Sequence, residues 1–273
     1  MGKIPCTVGI LTLNSEKILG RCLETVKDFA EILILDGNST DRTREIATAY
    51  GARIERQSEN DEPNFRIQDF AAVRNKMLGL ASQPWFFDLD SDEYLSDELR
   101  EKIRSLTETP TDGIVAYDVP RMAIIDGKRI RHAFFYPDRY IRLYQPKAGF
   151  HFHPKKKVHE KLIVPEGCVI RPIEECVYAP WKTVDEMKEK NAAYLRIVED
   201  KMRDKETNNS FKLRWLSAVA VLRNLARAAQ VHLSSFLIGL RHPKEECLPY
   251  EYVSLFSEYH LRLAWLRFRS VFA

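Results

Sequence analysis

The chain has 273 residues, of which 30% are charged and 45% apolar; it can bury a sizeable core and is neither disordered nor fibrous. A formal net charge of +3 argues against nucleic acid as the main partner. Five cysteines without a C-x-x-C pair argue against a disulfide framework and a structural zinc site, and fit reduced thiols.

No window reaches the ~18–20 apolar residues of a spanning helix. The apolar run 4–13 is followed at once by Asn14, Ser15, Glu16 and Lys17, so it reads as a strand and not as a signal peptide. Residues 15–29 follow with Ile18, Leu19, Cys22, Leu23 and Val26 at helical spacing. A second strand, 31–36, ends on Asp36. The run Gly37-Asn38-Ser39-Thr40-Asp41 then supplies turn chemistry and a cap for a helix through Tyr50. Gly51 closes that helix, 52–56 is a short strand and 65–80 a helix. This alternation predicts a parallel sheet with helices on both faces and a ligand at the carboxyl ends of the strands.

The stretch Trp85-Phe86-Phe87-Asp88-Leu89-Asp90-Ser91-Asp92-Glu93 reads as a buried central strand that stops at an acidic cluster. In an extended backbone Asp90 and Asp92 point to one side, where two hard oxygen donors suit Mg²⁺ or Mn²⁺. Asp88 is expected to face the opposite way. Glu93 is expected to brace Asp92 or to cap the next helix, and the whole run also fits a solvated turn before a helix near 95–106.

Four blocks in order carry a family resemblance: Val8-Gly9-Ile10-Leu11-Thr12-Leu13-Asn14, Asp36-Gly37-Asn38-Ser39-Thr40-Asp41-Arg42-Thr43, Phe70-Ala71-Ala72-Val73-Arg74-Asn75 and Leu89-Asp90-Ser91-Asp92-Glu93, with Val158-His159-Glu160 as a fifth. The chain resembles family 2 glycosyltransferases of the GT-A fold, in the branch of lipopolysaccharide-core β-glucosyltransferases. The resemblance implies an α/β, Rossmann-like mixed sheet with helices on both faces and a C-terminal helical region. It gives Asp36 the imide N–H of a uracil, against a capping role, and Arg74 the base or phosphates, against a surface ion pair. Thr12 and Asn14 would hydrogen-bond the nucleotide, or serve the turn. Asp90 would lie near the ribose and the metal's water shell, Asp92 would bind the metal directly, and His159 would complete its sphere. Glu160 would be the general base of an inverting transfer, with Asp138 and Asp118 in reserve.

Downstream, 113–120, 121–125 and 128–135 read as strands, with Asp126-Gly127 as a hairpin turn, and 140–144 and 158–164 as two more. His151 and His153 would share a strand face, but no third ligand has zinc spacing. Lys155, Lys156 and Lys157 suit a phosphate or a solvated face. Helices are expected from 183, over 211–229 and over 250–272, while 231–240 is too short to span. In the last helix Leu261, Trp265, Phe268 and Phe272 form an apolar stripe beside Arg262, Arg267 and Arg269, suited to an anionic membrane surface or to packing. The expected division is 1–180 for a catalytic domain and 181–273 for a helical region.

Three function classes follow. The first is an inverting, metal-dependent transferase using a nucleotide-diphospho-sugar, a UDP-sugar by the resemblance, on a cell-envelope glycan or glycolipid. Its location would be cytoplasmic, with peripheral contact at the inner face of the membrane. The second is a sugar-phosphate nucleotidyltransferase, whose Gly-rich phosphate loop is missing from Leu11-Thr12-Leu13-Asn14. The third is a GT-A scaffold that binds a glycan or a partner without catalysis.

Overall fold

The computed structural model describes residues 2–154, 161–203 and 211–272. The chain divides into two compact units: residues 1–122 with 137–179, and residues 123–136 with 180–273.

The first unit opens with β1 (Ile4–Thr12), α1 (Leu19–Val26), β2 (Phe29–Asp36), α2 (Thr43–Ala49), β3 (Arg53–Arg56), α3 (Phe70–Leu80) and β4 (Trp85–Asp90). The expected βα alternation is present. After it come β5 (Tyr94–Leu95), α4 (Asp97–Glu108) and β6 (Val115–Ile125), whose last three residues pair in the second unit with β7 (Lys128–Ile130). Next are β8 (Arg139–Tyr144), β9 (His151–Phe152), β10 (Leu162–Ile163), β11 (Val169–Pro172) and β12 (Val177–Pro180). The main sheet runs β3-β2-β1-β4-β8-β6-β12-β5. Pairings among β3, β2, β1 and β4 are parallel, and those of β8 with β4 and β6 antiparallel, so the sheet is mixed.

Adjacent residues of the central strands enter opposite cores, as a period of two requires. Phe87, Ile34 and Val8 join the layer containing Leu19, Leu23, Leu99 and Ile103, while Phe86, Leu33 and Leu35 join Met77 and Tyr144 on the other face. Helix α1 puts Leu19, Cys22, Leu23 and Val26 into the first layer at i, i+3, i+4 and i+7. Asp69 starts α3 by accepting the Ala72 N–H at 3.0 Å, and Ser96 starts α4 by accepting that of Leu99 at 3.0 Å. Gly9 lets β1 press on α3, because a Cβ there would collide with the Phe86 ring and Met77 Sδ.

Several expectations shift. The helix expected over 15–29 is confined to Leu19–Val26, since Phe29 already begins β2. The break expected after Pro120 is absent: Arg121 donates its amide to the Asp138 carbonyl directly after the proline, and β6 continues into its pairing with β7. The hairpin forms at Asp126-Gly127, both at positive φ (49° and 75°), but β7 stops at Ile130 instead of reaching Phe135. Strands β11 and β12 were not anticipated.

The second unit contains the β6–β7 hairpin and helices α5 (Val184–Arg203), α6 (Phe211–Gly239) and α7 (Tyr250–Phe272). Its core holds Ala123, Ile125, Ile130, Val231, Leu248, Tyr252 and Val253, with Trp181 and Phe256 against it. Helix α6 also absorbs the stretch from Val231, so the expected end near Ala229 is passed. All five cysteines are free thiols.

Candidate active site

Register gathers the acidic ends of the parallel strands. Thr12 pairs with Asp36 across β1–β2, Leu11 pairs with Asp90 across β1–β4, and Asp36 pairs with Arg56 across β2–β3. Residues 24 and 54 positions apart in sequence thus share one sheet edge at its carboxyl end, where α/β sheets hold ligands.

Asp36 is buried and fully engaged. Its Oδ1 accepts from Thr12 Oγ1 at 2.8 Å and Ser39 Oγ at 2.6 Å, and its Oδ2 accepts from the Ser39 amide at 2.8 Å. The carboxylate therefore fixes the turn after β2 and ties it to β1. Asn14 has a left-handed backbone (φ 49°), where asparagine is favoured. Its Oδ1 accepts the Thr40 N–H at 3.0 Å and its own N–H donates to Ser39 Oγ at 2.9 Å. Asn38 extends the lattice by donating to the Asn60 and Glu62 carbonyls at 2.7 and 2.9 Å. The loops after β1, β2 and β3 are one hydrogen-bonded wall. Asp41 serves the helix as expected, accepting the Thr43 N–H at 3.0 Å.

Beside this wall lies a hollow of about 400 Å³ lined by Leu11, Thr12, Leu13, Gln57, Arg66, Ile67 and Phe70. Gln57 is its unanticipated member. Buried, it donates Nε2 to the Thr12 and Leu35 carbonyls at 3.0 and 3.1 Å, while its Oε1 has no hydrogen-bond partner. Gly37 is required next to it: a Cβ there would stand 2.7 Å from the Phe65 carbonyl oxygen and 3.0 Å from Gln57 Oε1. The only sequence signal for Gln57 was its place just after a strand whose register was unknown.

At the acidic strand the geometry corrects two expectations. β4 ends at Asp90, and the Glu93 N–H donates to the Asp90 carbonyl at 3.0 Å, so Asp92 sits on a tight turn and not on an extended strand. The shared-face argument for Asp90 and Asp92 does not hold. It applies instead to Asp88 and Asp90, which are two apart on one strand and both reach Arg74, Asp88 at Nη1 and Asp90 at Nη2 (3.3 Å). Asp88 is thus beside the site and not opposite it. Burial pushes its carboxyl upward, against the pull of the Arg74 guanidinium.

Glu93, only 2% exposed, receives Arg142 Nη1 at 2.6 Å and Nη2 at 2.9 Å, and its Oε2 accepts the Asp90 N–H at 3.3 Å. Arg142 also donates Nη1 to the Asp88 carbonyl at 3.1 Å, and Arg121 approaches Glu93 at 3.7 Å. The fork of Arg142 therefore clamps both sides of the acidic turn. Glu93 does not cap α4, since Ser96 does so. Burial raises Glu93, and the nearby Arg142 opposes that rise.

Asp92 is exposed, and the side chain of Asp90 is half-exposed. Among the described residues no group of three His, Cys, Asp or Glu side chains is arranged to hold a metal ion. Two carboxylates and a water-accessible turn match the donor set of a hard divalent cation that takes its other ligands from water and phosphate oxygens. The expected general base Glu160 and metal ligand His159 lie outside the described residues, as do Lys155, Lys156 and Lys157. The two reserve carboxylates are ion-paired: Asp118 accepts Arg139 Nε at 2.9 Å and Asp138 accepts Arg121 Nε at 2.9 Å.

Comparison with known proteins matches residues 7–160 to the family described as Glycosyl transferase family 2. The chain is similar to the lipopolysaccharide core biosynthesis glycosyltransferase LpsC of Rhizobium meliloti, 34% identical over 170 residues that cover 61% of this chain and 60% of LpsC. It is also similar to the prophage-derived glycosyltransferase SunS of Bacillus subtilis, 36% identical over 98 residues, 36% of this chain and 22% of SunS. The match thus spans less than two thirds of either relative's length. Among solved structures, S. aureus TarS 1–349 in complex with UDP aligns over 98% of this chain and 91% of that one, with 14% identity and a TM-score of 0.47.

Proposed function

Since the chain belongs to glycosyl transferase family 2, we propose that it moves a hexose from a nucleotide-diphospho-sugar, a UDP-sugar, to a cell-envelope glycan or glycolipid, with inversion at the anomeric carbon. The observation that carries this reading is the common edge formed by Thr12, Asp36 and Asp90, with the hollow beside it. A hollow of about 400 Å³ bordered by Phe70, Leu11 and the Gln57 amide has the size and polarity for a nucleobase and ribose. The acidic turn of Asp90 and Asp92 then falls where a diphosphate would leave the nucleoside.

In this reading Asp90 and Asp92 hold Mn²⁺ or Mg²⁺, joined by His159. The cation, when bound, neutralises the charge that builds on the departing diphosphate. Arg74, tied to Asp88 and Asp90, adds a fixed positive charge on the same side. The wall made by Thr12, Asn14 and Asp36 orients the nucleoside, and Glu160 takes the proton of the attacking acceptor hydroxyl. We infer a cytoplasmic location as part of the same reading.

Calorimetry of UDP binding with and without Mn²⁺ tests the donor site, and transfer from UDP-glucose, UDP-galactose and their N-acetyl forms tests the reaction. Asp92→Ala is expected to lose the metal-dependent part of UDP binding, and Glu160→Gln to retain binding while losing transfer. Absence of UDP binding in the presence of Mn²⁺ overturns the reading, and near-normal turnover by Glu160→Gln removes that residue from the chemistry.

A further inference from the structure

Helix α6 shows two opposite faces. Asn224, Ala228 and Val231 are buried, and Asn224 meets α7 through a 3.0 Å hydrogen bond with His260. On the other side Val219, Leu222, Leu233, Phe236 and Leu240 are bare, with Leu222, Leu233, Phe236 and Leu240 each more than 60% exposed. Exposed Ala226 and Ala229 fill the gaps, so the row 219, 222, 226, 229, 233, 236, 240 advances in steps of three and four. At 100° per residue such a row stays on one side for about 32 Å, from Val219 to Leu240.

The charges on this helix are of one sign. The helix from Phe211 to Gly239 carries Lys212, Arg214, Arg223 and Arg227 and no acidic residue. A second copy docked symmetrically on the face would bring up another α6, equally basic and without a carboxylate to pair with the first. A bilayer with anionic headgroups meets both features at once, taking the apolar row into its acyl boundary and the guanidinium groups at its phosphates. No helix among the described residues is long and apolar enough to cross a membrane, so the geometry is that of a helix lying in the interface plane.

The aromatic stripe of α7 is a weaker candidate. Leu261, Trp265 and Phe268 are exposed, with Trp265 stacked on Phe268 at 5.9 Å, but Arg262 is paired with Glu258 and Arg269 with Glu199. Its charge is spent partly inside the protein, whereas α6 itself carries no carboxylate beside Arg223.

We infer that the face formed by Leu222, Leu233 and Phe236 of α6 and by Leu240 just after it, bordered by Arg223, docks the protein on an anionic phospholipid surface. The test is flotation of the full chain with vesicles of phosphatidylcholine alone and with about 30% phosphatidylglycerol at low and high salt. Binding is expected only with phosphatidylglycerol and is expected to weaken with salt. Leu233→Glu/Phe236→Glu should abolish it, and Arg223→Gln should weaken it roughly fivefold. Trp265→Glu on α7 should leave binding nearly unchanged.

Circular dichroism checks that each variant is folded, and the single exposed change Leu240→Glu provides a milder version should the double variant unfold. Absence of binding by the folded wild-type chain, equal binding to both vesicle types, or loss caused by Trp265→Glu alone overturns the inference. A concentration-dependent dimer in sedimentation equilibrium that Leu233→Glu/Phe236→Glu dissociates would assign the face to a second copy instead. The readout is lipid binding, so it stands apart from donor binding and transfer.

Discussion

Replacing Arg142 with Met probes the clamp beneath the acidic turn. The change removes the 2.6 and 2.9 Å hydrogen bonds to Glu93 and the 3.1 Å bond to the Asp88 carbonyl. What stays near the Glu93 carboxylate is the Asp90 N–H at 3.3 Å and Arg121 at 3.7 Å, whose side chain is about a third exposed. Breaking a buried pair by deleting one partner costs about 3–5 kcal/mol, because the other charge is left in a low-dielectric site. At roughly 2–4 °C per kcal/mol for a chain of this size, the unfolding midpoint should fall by roughly 6–20 °C. The double change Arg142→Met/Glu93→Leu removes both charges and should recover most of that loss. Urea unfolding followed by tryptophan fluorescence measures both, with Trp85 in the core of the same unit. A loss under about 1 kcal/mol for the single variant, or a double variant as unstable as the sum of its parts, would refute the clamp.

Three further outcomes are expected. Gly37→Ala should lower UDP affinity and destabilise the fold by about 1–3 kcal/mol, because the new methyl meets the Phe65 carbonyl oxygen; calorimetry and a melting curve check it. Ser96→Ala removes the acceptor for the Leu99 N–H and should cost about 1 kcal/mol by urea unfolding without altering UDP binding. His260, held by burial and the nearby Arg227 below its ordinary value of 6.5, binds a proton more readily in the unfolded chain. Its contribution is therefore present above pH 6.5 and lost as the pH falls below it. The melting temperature should fall as the pH is lowered through that range, and His260→Gln should flatten the dependence.

The parallel half of the fold was legible because its strands are short apolar runs punctuated by turn residues. Asp36 and Asp90 stood out as acids ending such runs, and Asp126-Gly127 marked its hairpin without help from the rest of the chain. What escaped depends on register or on distant pairing. Nothing near Glu93 announces Arg142, which lies 49 positions later and meets it only because β8 pairs with β4. Gln57 looked like an ordinary polar residue until the β2–β3 register carried it under Thr12. Asp92 was misplaced because the strand was extended two residues too far: the apolar pattern shows where β4 is buried, but the Asp90–Glu93 hydrogen bond decides where it turns.

The lattice linking Thr12, Asn14, Asp36, Asn38 and Ser39 is built wholly from the chain's own side-chain and backbone groups. Much of the ordering that an incoming nucleoside would otherwise impose on those three loops has been done by the fold, so little conformational entropy is left to lose on that side of the cleft. Stopped-flow mixing with a fluorescent uridine nucleotide should accordingly give one phase whose rate rises in proportion to ligand concentration, without the plateau that a slow loop rearrangement would leave.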